Sequence, residues 1–182
     1  MSLIALDFET EGIAPRPDYP PKPVGLAVWV DKYPKGAYYS WGHPTGNGTT
    51  QQAVATYISK LFANPDNEFV FHNAPFDIAV FEEQMDILVP WKRCHDTMLM
   101  AFLKDPYGEL SLKPLAEKYL GEPPDEQDAV KAWLCRHGIV RSNQKDWGAF
   151  ISKAPAQLVA PYAIGDVRKT LGLYHLFKGV MK

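Results

Sequence analysis

The chain has 182 residues, enough for one well-buried domain and short for two, with 19 basic and 21 acidic side chains and a formal net charge of -2. That balance argues against the global basic footprint of a non-specific duplex binder, so a nucleic-acid partner has to be gripped locally. Cys94 and Cys135 stand alone without CxxC spacing, which argues against a zinc site and a disulfide-stapled secreted fold, and no apolar run is long enough to span a bilayer. The expectation is a single domain over residues 1–182, monomeric and cytoplasmic, with no membrane partner.

Residues 2–8 form an apolar run with β-branched Ile4 and read as a buried strand. The prolines of "APRPDYPPKP", residues 14–23, make a stiff loop. Residues 24–30 and 36–41 read as two more strands around a turn at Tyr33 and Pro34, completing a three-strand meander. Residues 51–62 place Val54, Tyr57, Ile58, Leu61 and Phe62 at helical spacing, and "NPDN" stops the helix. Residues 68–71 are a fourth strand. Asn73 then opens as N-cap a helix with Ile78, Phe81 and Met85 on its apolar face, and residues 93–96 give a short fifth strand. Helices follow over residues 97–103, 112–119 (closed by Gly121), 126–136 and 161–177. Strands, then alternating helix and strand, then helices, predict an α/β layer sandwich around one mixed sheet.

Strand alternation puts Asp7 and Glu9 on one face and Ile4, Leu6 and Phe8 on the other. An isolated D-x-E ordinarily just ends a strand in solvent. In "FHNAPFD", Asn73 and Asp77 are four apart on one side of a helix's first turn, which capping alone can explain. In "YAIGDVRKT", Tyr162 and Asp166 are also four apart, with Ile164, Val167, Leu171 and Tyr174 expected on the opposite, packed face; a surface hydrogen-bonding pair is the ordinary reading. Taken together the clusters say more. Four carboxylates converging in a low-dielectric cleft repel one another unless divalent cations neutralise them. Oxygen-only donors favour Mg²⁺ or Mn²⁺ over zinc.

The order "LDFET", "HNAPFDIAVF", "YAIGDVRKT" resembles the three exonuclease motifs of the DEDD 3′-5′ exonuclease superfamily, and Tyr162 four before Asp166 resembles its DEDDy branch. "CHDTMLMAFLKDP" and "LSLKPLAEKYLG" are similar to the proofreading domain of family A DNA polymerases, phage enzymes included. The resemblance implies a ribonuclease H-like three-layer sandwich with a mixed five-stranded sheet, order 3-2-1-4-5, strand 2 antiparallel. It also implies that Asp7 bridges two divalent metal ions, Mg²⁺ or Mn²⁺, that Glu9 and Asp166 complete one site, and that Asp77 holds the other partly through water. Two such cations can clamp the attacking and leaving oxygens of a phosphoryl displacement. The resemblance further implies that Tyr162, a neutral phenol and poor general base, would orient the attacking water. Thr10, Ile13, Asn73 and Phe76 are implied contacts for the 3′-terminal nucleotides.

The expected activity is removal of nucleoside 5′-monophosphates from the 3′ ends of single-stranded or frayed DNA. Because the third motif is followed by only a short stretch, a stand-alone enzyme serving a separate polymerase or replication protein is expected. Two alternatives stand beside it: a ribonuclease D-like exoribonuclease, since nothing in the sequence reads a 2′-hydroxyl, and a non-catalytic end-binding module. Lys113, Arg136, Arg141, Lys145, Arg168 and Lys169 are candidates for a phosphate track, or are simply solvated. Gly165 departs from relatives that carry a polar or acidic residue before the third-motif acid. Asp96 matches a family position outside the metal set and reads as structural.

Overall fold

The first apolar run is β1 (Ser2–Thr10), the middle strand of a five-stranded sheet; the computed structural model describes residues 2–122 and 125–179. On one side lie β2 (Pro23–Val30) and then β3 (Ala37–Ser40), both antiparallel to their neighbours; on the other lie β4 (Asn67–Phe71) and β5 (Cys94–Asp96), both parallel. The order β3-β2-β1-β4-β5 is the expected one. The antiparallel half needs only loops, whereas each parallel pairing needs a crossover. Helix α1 (Gln51–Ala63) carries the chain from β3 to β4, and α2 (Ala74–Ala79) leads on towards β5.

Two apolar layers cover the sheet. Ile4, Leu6 and Phe8 pack with Val54, Ile58 and Phe62 of α1 and with Phe81. Leu3, Ala5, Ala27 and Val70 pack with Ala163, Val167 and Leu171 of the long C-terminal helix. Strand parity then decides the rest: Asp7 and Glu9 continue the Leu3 and Ala5 row, so they face that helix. Helices α3 (Thr97–Lys104), α4 (Leu112–Leu120) and α5 (Asp125–Arg136) precede the last helix, α6 (Ala156–Phe177), and all three pack on it. Gly121 closes α4 with φ of 67°, a left-handed conformation that glycine adopts without a Cβ penalty. No helix among the described residues is long and apolar enough to cross a membrane.

Four local expectations change. Helix α2 stops at Ala79 and gives way to one π turn, Val80–Gln84, instead of running on to Met85. Asn73 occupies the N-cap position with φ of 69°, but its side chain makes no capping bond. Asp96 caps in its place, accepting from the Asn73 and Ala74 amides, both at 3.0 Å, and from Met98 N at 2.9 Å at the start of α3. Helix α6 begins at Ala156, ahead of Pro161. A proline in its second turn removes one amide donor, and burial of Ala156 and Val159 holds the extra turn. Residues 147–153 had no predicted element and form a 3₁₀ segment, Trp147–Lys153, with Ile151 and Ser152 buried.

Candidate active site

Asp7 and Glu9 sit at the C-terminal end of β1, opposite Ala27 and Gly25 of β2. Asp166 reaches them from α6, and one carboxylate oxygen from each of the three acids lies within 4.8 Å of the others. Asp77, in the first turn of α2, is brought in from a third element: its Oδ1 accepts the Phe8 amide at 2.9 Å, inside the tip of β1. The four acids that sequence reasoning grouped are therefore neighbours. The surface-pair reading of Tyr162 and Asp166 fails, because α6 is packed between the sheet and three helices and Asp166 is buried.

Burial dominates the electrostatics of the cluster. It pushes the Asp7 carboxyl up to about 6, with Lys113 pulling the other way. Glu9 is raised well above the usual carboxylate range by burial and then by Asp7, against Lys113; Asp77 is raised by burial and by Asp7, against the Phe8 amide. Burial, followed by the charges of Glu9 and Asp7, also lifts the Tyr162 phenol well above its ordinary value. Tyr162 is thus a neutral hydroxyl in this field, suited to directing a water and not to removing a proton.

Some participants were not singled out from sequence. Lys113 of α4 was one of six candidate phosphate cations; it is the one that enters the cluster, ion-paired to Asp166 with its Nζ 4.1 Å from the centroid of the Tyr162 ring. Its place in "LSLKPLAEKYLG", on a helix packed against α6, was the available signal. Of the other five, Arg168 pairs with Glu122 at 2.8 Å, Lys169 is fully buried, and Arg136, Arg141 and Lys145 are exposed. Trp147 packs edge-on to Tyr162, with ring centroids 6.0 Å apart. Tyr38 Oη donates to His43 Nε2 at 2.6 Å, because His43 Nδ1 must donate to the Ala154 carbonyl at 2.9 Å. This chain ties β3 to the segment that leads into α6. A Cβ on Gly25, the partner of Glu9, would lie 2.2 Å from the Tyr38 hydroxyl, so only glycine lets that ring cross the strand.

Of the expected nucleotide contacts, Thr10 is buried, its hydroxyl donating to the Glu11 carbonyl at 2.8 Å. Ile13 is 68% exposed and, with Thr10, Glu11, Lys145, Asp146, Gly148 and Ala149, lines a cleft of about 480 Å³ that begins at Thr10, the residue after Glu9. Phe76, the residue before Asp77, is half-buried against Tyr19, and Asn73, four residues before Asp77, is exposed; both lie outside that cleft. Glu11 follows the end of β1, is exposed, and is not part of the acid cluster. A larger cleft of about 610 Å³ between α1 and Met85 to Ile87 shares no residue with the acids.

The donor set fits hard divalent cations. It offers only carboxylate oxygens, from acids whose burial makes their uncompensated charge costly.

Residues 1–182 match the family DNA_pol_A_exo1, described as a 3′-5′ exonuclease, and the chain belongs to that family. It is 26% identical over 181 residues to the DNA polymerase of Escherichia phage T5, a match that covers 96% of this chain and spans 20%, about a fifth, of the polymerase. Similar solved folds include Trypanosoma brucei RNase D bound to GMP, with a TM-score of 0.64 at 16% identity over 96% of this chain and 50% of that one. Brucella melitensis NrnC with bound Mg²⁺ superposes with a TM-score of 0.61 at 16% identity, over 97% of this chain and 72% of that one. Escherichia coli RNase D gives 0.60 at 18% identity, over 97% and 38%. The chain is thus a DEDD-type 3′-5′ exonuclease domain with the ribonuclease H-like sheet order, and its family works with two divalent metal ions.

Proposed function

We propose that this chain is an exodeoxyribonuclease domain that removes nucleoside 5′-monophosphates from the 3′ ends of single-stranded or frayed DNA. The observation that carries it is the convergence of Asp7, Glu9 and Asp166 within 4.8 Å, with Asp77 bonded to the tip of the same strand and Tyr162 one helical turn before Asp166. Asp7, Glu9 and Asp166 would hold one divalent cation, and Asp7 and Asp77 would hold the second. When bound, the pair of cations supplies charge neutralisation at the scissile phosphate and activation of water. Tyr162 orients that water, its phenol kept neutral by burial and by Glu9 and Asp7. Thr10 and Ile13 border the terminal nucleotide, while Phe76 offers an aromatic edge and Asn73 a polar group near the terminal sugar.

DNA is favoured because the matched relative is a DNA polymerase. RNA is the second reading, since Trypanosoma brucei RNase D, similar in fold, has been solved with RNA U12. The free thiols of Cys94 and Cys135 suit a reducing cytoplasm, and the domain acts as a monomer alongside a polymerase or replication protein. The test is parallel digestion of matched 5′-labelled DNA and RNA strands in Mg²⁺ or Mn²⁺. Stepwise shortening of DNA, lost in Asp7→Ala, is expected. Faster shortening of RNA replaces the DNA reading, and binding without metal-dependent cleavage replaces the enzyme reading with an end-binding module.

A further inference from the structure

We infer that Lys113 is a built-in counter-cation: its ammonium pairs with Asp166, holds Asp166 and Tyr162 in place, and competes with a divalent cation for Asp166. The inference deepens the metal-dependent nuclease reading above and rests on it.

Lys113 enters from α4, whereas the acids it serves come from β1 and α6. Its side chain is only 15% exposed and that of Asp166 only 8%, so the ion pair is not a solvated surface contact. The same ammonium lies 4.1 Å from the Tyr162 ring centroid, over the electron-rich face that attracts cations. One positive charge thus contacts both α6 groups of the site at once. Its field also reaches further, opposing the upward push on the Asp7 and Glu9 carboxyls.

Four carboxyl groups, those of Glu9, Asp77 and Asp166 buried and that of Asp7 half-buried, face one ammonium, an oxygen-rich donor set that favours divalent cations. Yet an ammonium seated on Asp166 and a dication sharing Asp166 with Asp7 and Glu9 repel each other at contact range. Lysine is suited to such an exchange: a compact point charge on a flexible four-carbon stem, it can leave one oxygen without dismantling a bidentate fork. The consequence is a site kept ordered before metal arrives, at some loss of metal affinity.

The test compares wild-type protein with K113M, which keeps the apolar stem and removes the charge, and with K113R, which keeps the charge. Melting in EDTA and Mn²⁺ binding by calorimetry are the readouts. K113M is expected to melt several degrees lower without metal, and to bind Mn²⁺ on the order of tenfold more tightly. K113R is expected to bind Mn²⁺ no more tightly than wild type. Unchanged or weaker Mn²⁺ binding by K113M overturns the inference, as does tighter binding by K113R.

A measurement on the unmodified protein keeps the test independent of how the variants fold. The Lys113 Nζ resonance is expected to shift when Mg²⁺ saturates the site, and a resonance unmoved by saturating Mg²⁺ overturns the exchange. Because these readouts are binding, melting and resonance position, the inference survives in a protein that cleaves neither DNA nor RNA. In a protein that cleaves but shows no exchange, it fails alone.

Discussion

Asp7→Asn should make the metal-free protein more stable while destroying its activity. Burial pushes the Asp7 carboxyl from an ordinary 3.8 up to about 6, so the folded state holds this proton more tightly than the unfolded chain does. The stability tied to that proton is fully present below pH 3.8 and is lost as the pH rises through 6. A displacement of that size corresponds to up to about 3 kcal/mol at pH 8. Asparagine approximates the neutral carboxyl and avoids the loss. Relief of the repulsion that Asp7 exerts on Glu9 and Asp77 adds in the same direction. In EDTA at pH 8 the variant should therefore melt higher than wild type by up to about 10 °C, with the gap closing towards pH 4. In saturating Mg²⁺ the order should reverse, because binding to the folded state stabilises wild type alone. Calorimetric melting of both proteins at the two pH values, with EDTA and with Mg²⁺, is the assay. A variant no more stable than wild type at pH 8 in EDTA, or one whose advantage is the same at pH 4, would refute the view that Asp7 is held at an electrostatic cost offset by metal.

Further outcomes follow from the same geometry. Tyr162→Phe keeps the ring between Lys113 and Trp147 and removes only the hydroxyl, so turnover should fall tenfold or more, as an order of magnitude, while Mn²⁺ affinity measured by calorimetry stays unchanged. Mn²⁺ affinity of wild type should rise as the pH climbs through about 6, since a protonated Asp7 is a poor ligand, and buffers of different ionisation enthalpy should reveal proton release on binding. Asp96→Ala removes the acceptor for three amides at the starts of α2 and α3, and should cost about 2 kcal/mol in urea denaturation. Ile13→Ala should raise the KM for a single-stranded substrate more than it lowers kcat, because it trims an exposed contact in the cleft that begins at Thr10 and none of the acids themselves.

Much of the fold was legible because it rests on local pattern. The alternation in β1, the helical spacing of Val54, Ile58 and Phe62, and the Gly121 stop each act over a few residues, and each appears where expected. What proved illegible depended on contacts between distant segments. Asn73 looked like an N-cap, yet an acceptor 23 residues later along the chain, Asp96, takes the amides, and Asn73 is left in the left-handed region. The start of α6 ran past Pro161 because burial against the rest of the protein outweighs one missing amide bond.

The site divides in the same way. The sequence by itself singled out the candidate acids: strand parity and four-residue helical spacing pair Asp7 with Glu9 and Tyr162 with Asp166, and the resemblance to the exonuclease motifs groups them with Asp77. Only the tertiary structure decided that Asp77 is held by the Phe8 amide, that Trp147 flanks Tyr162, and that Lys113, among six candidate cations, enters the cluster through Asp166 and Tyr162. The reason is that charge pairing and desolvation depend on distances between elements, and periodicity along a chain encodes which face a residue occupies but not what meets it there.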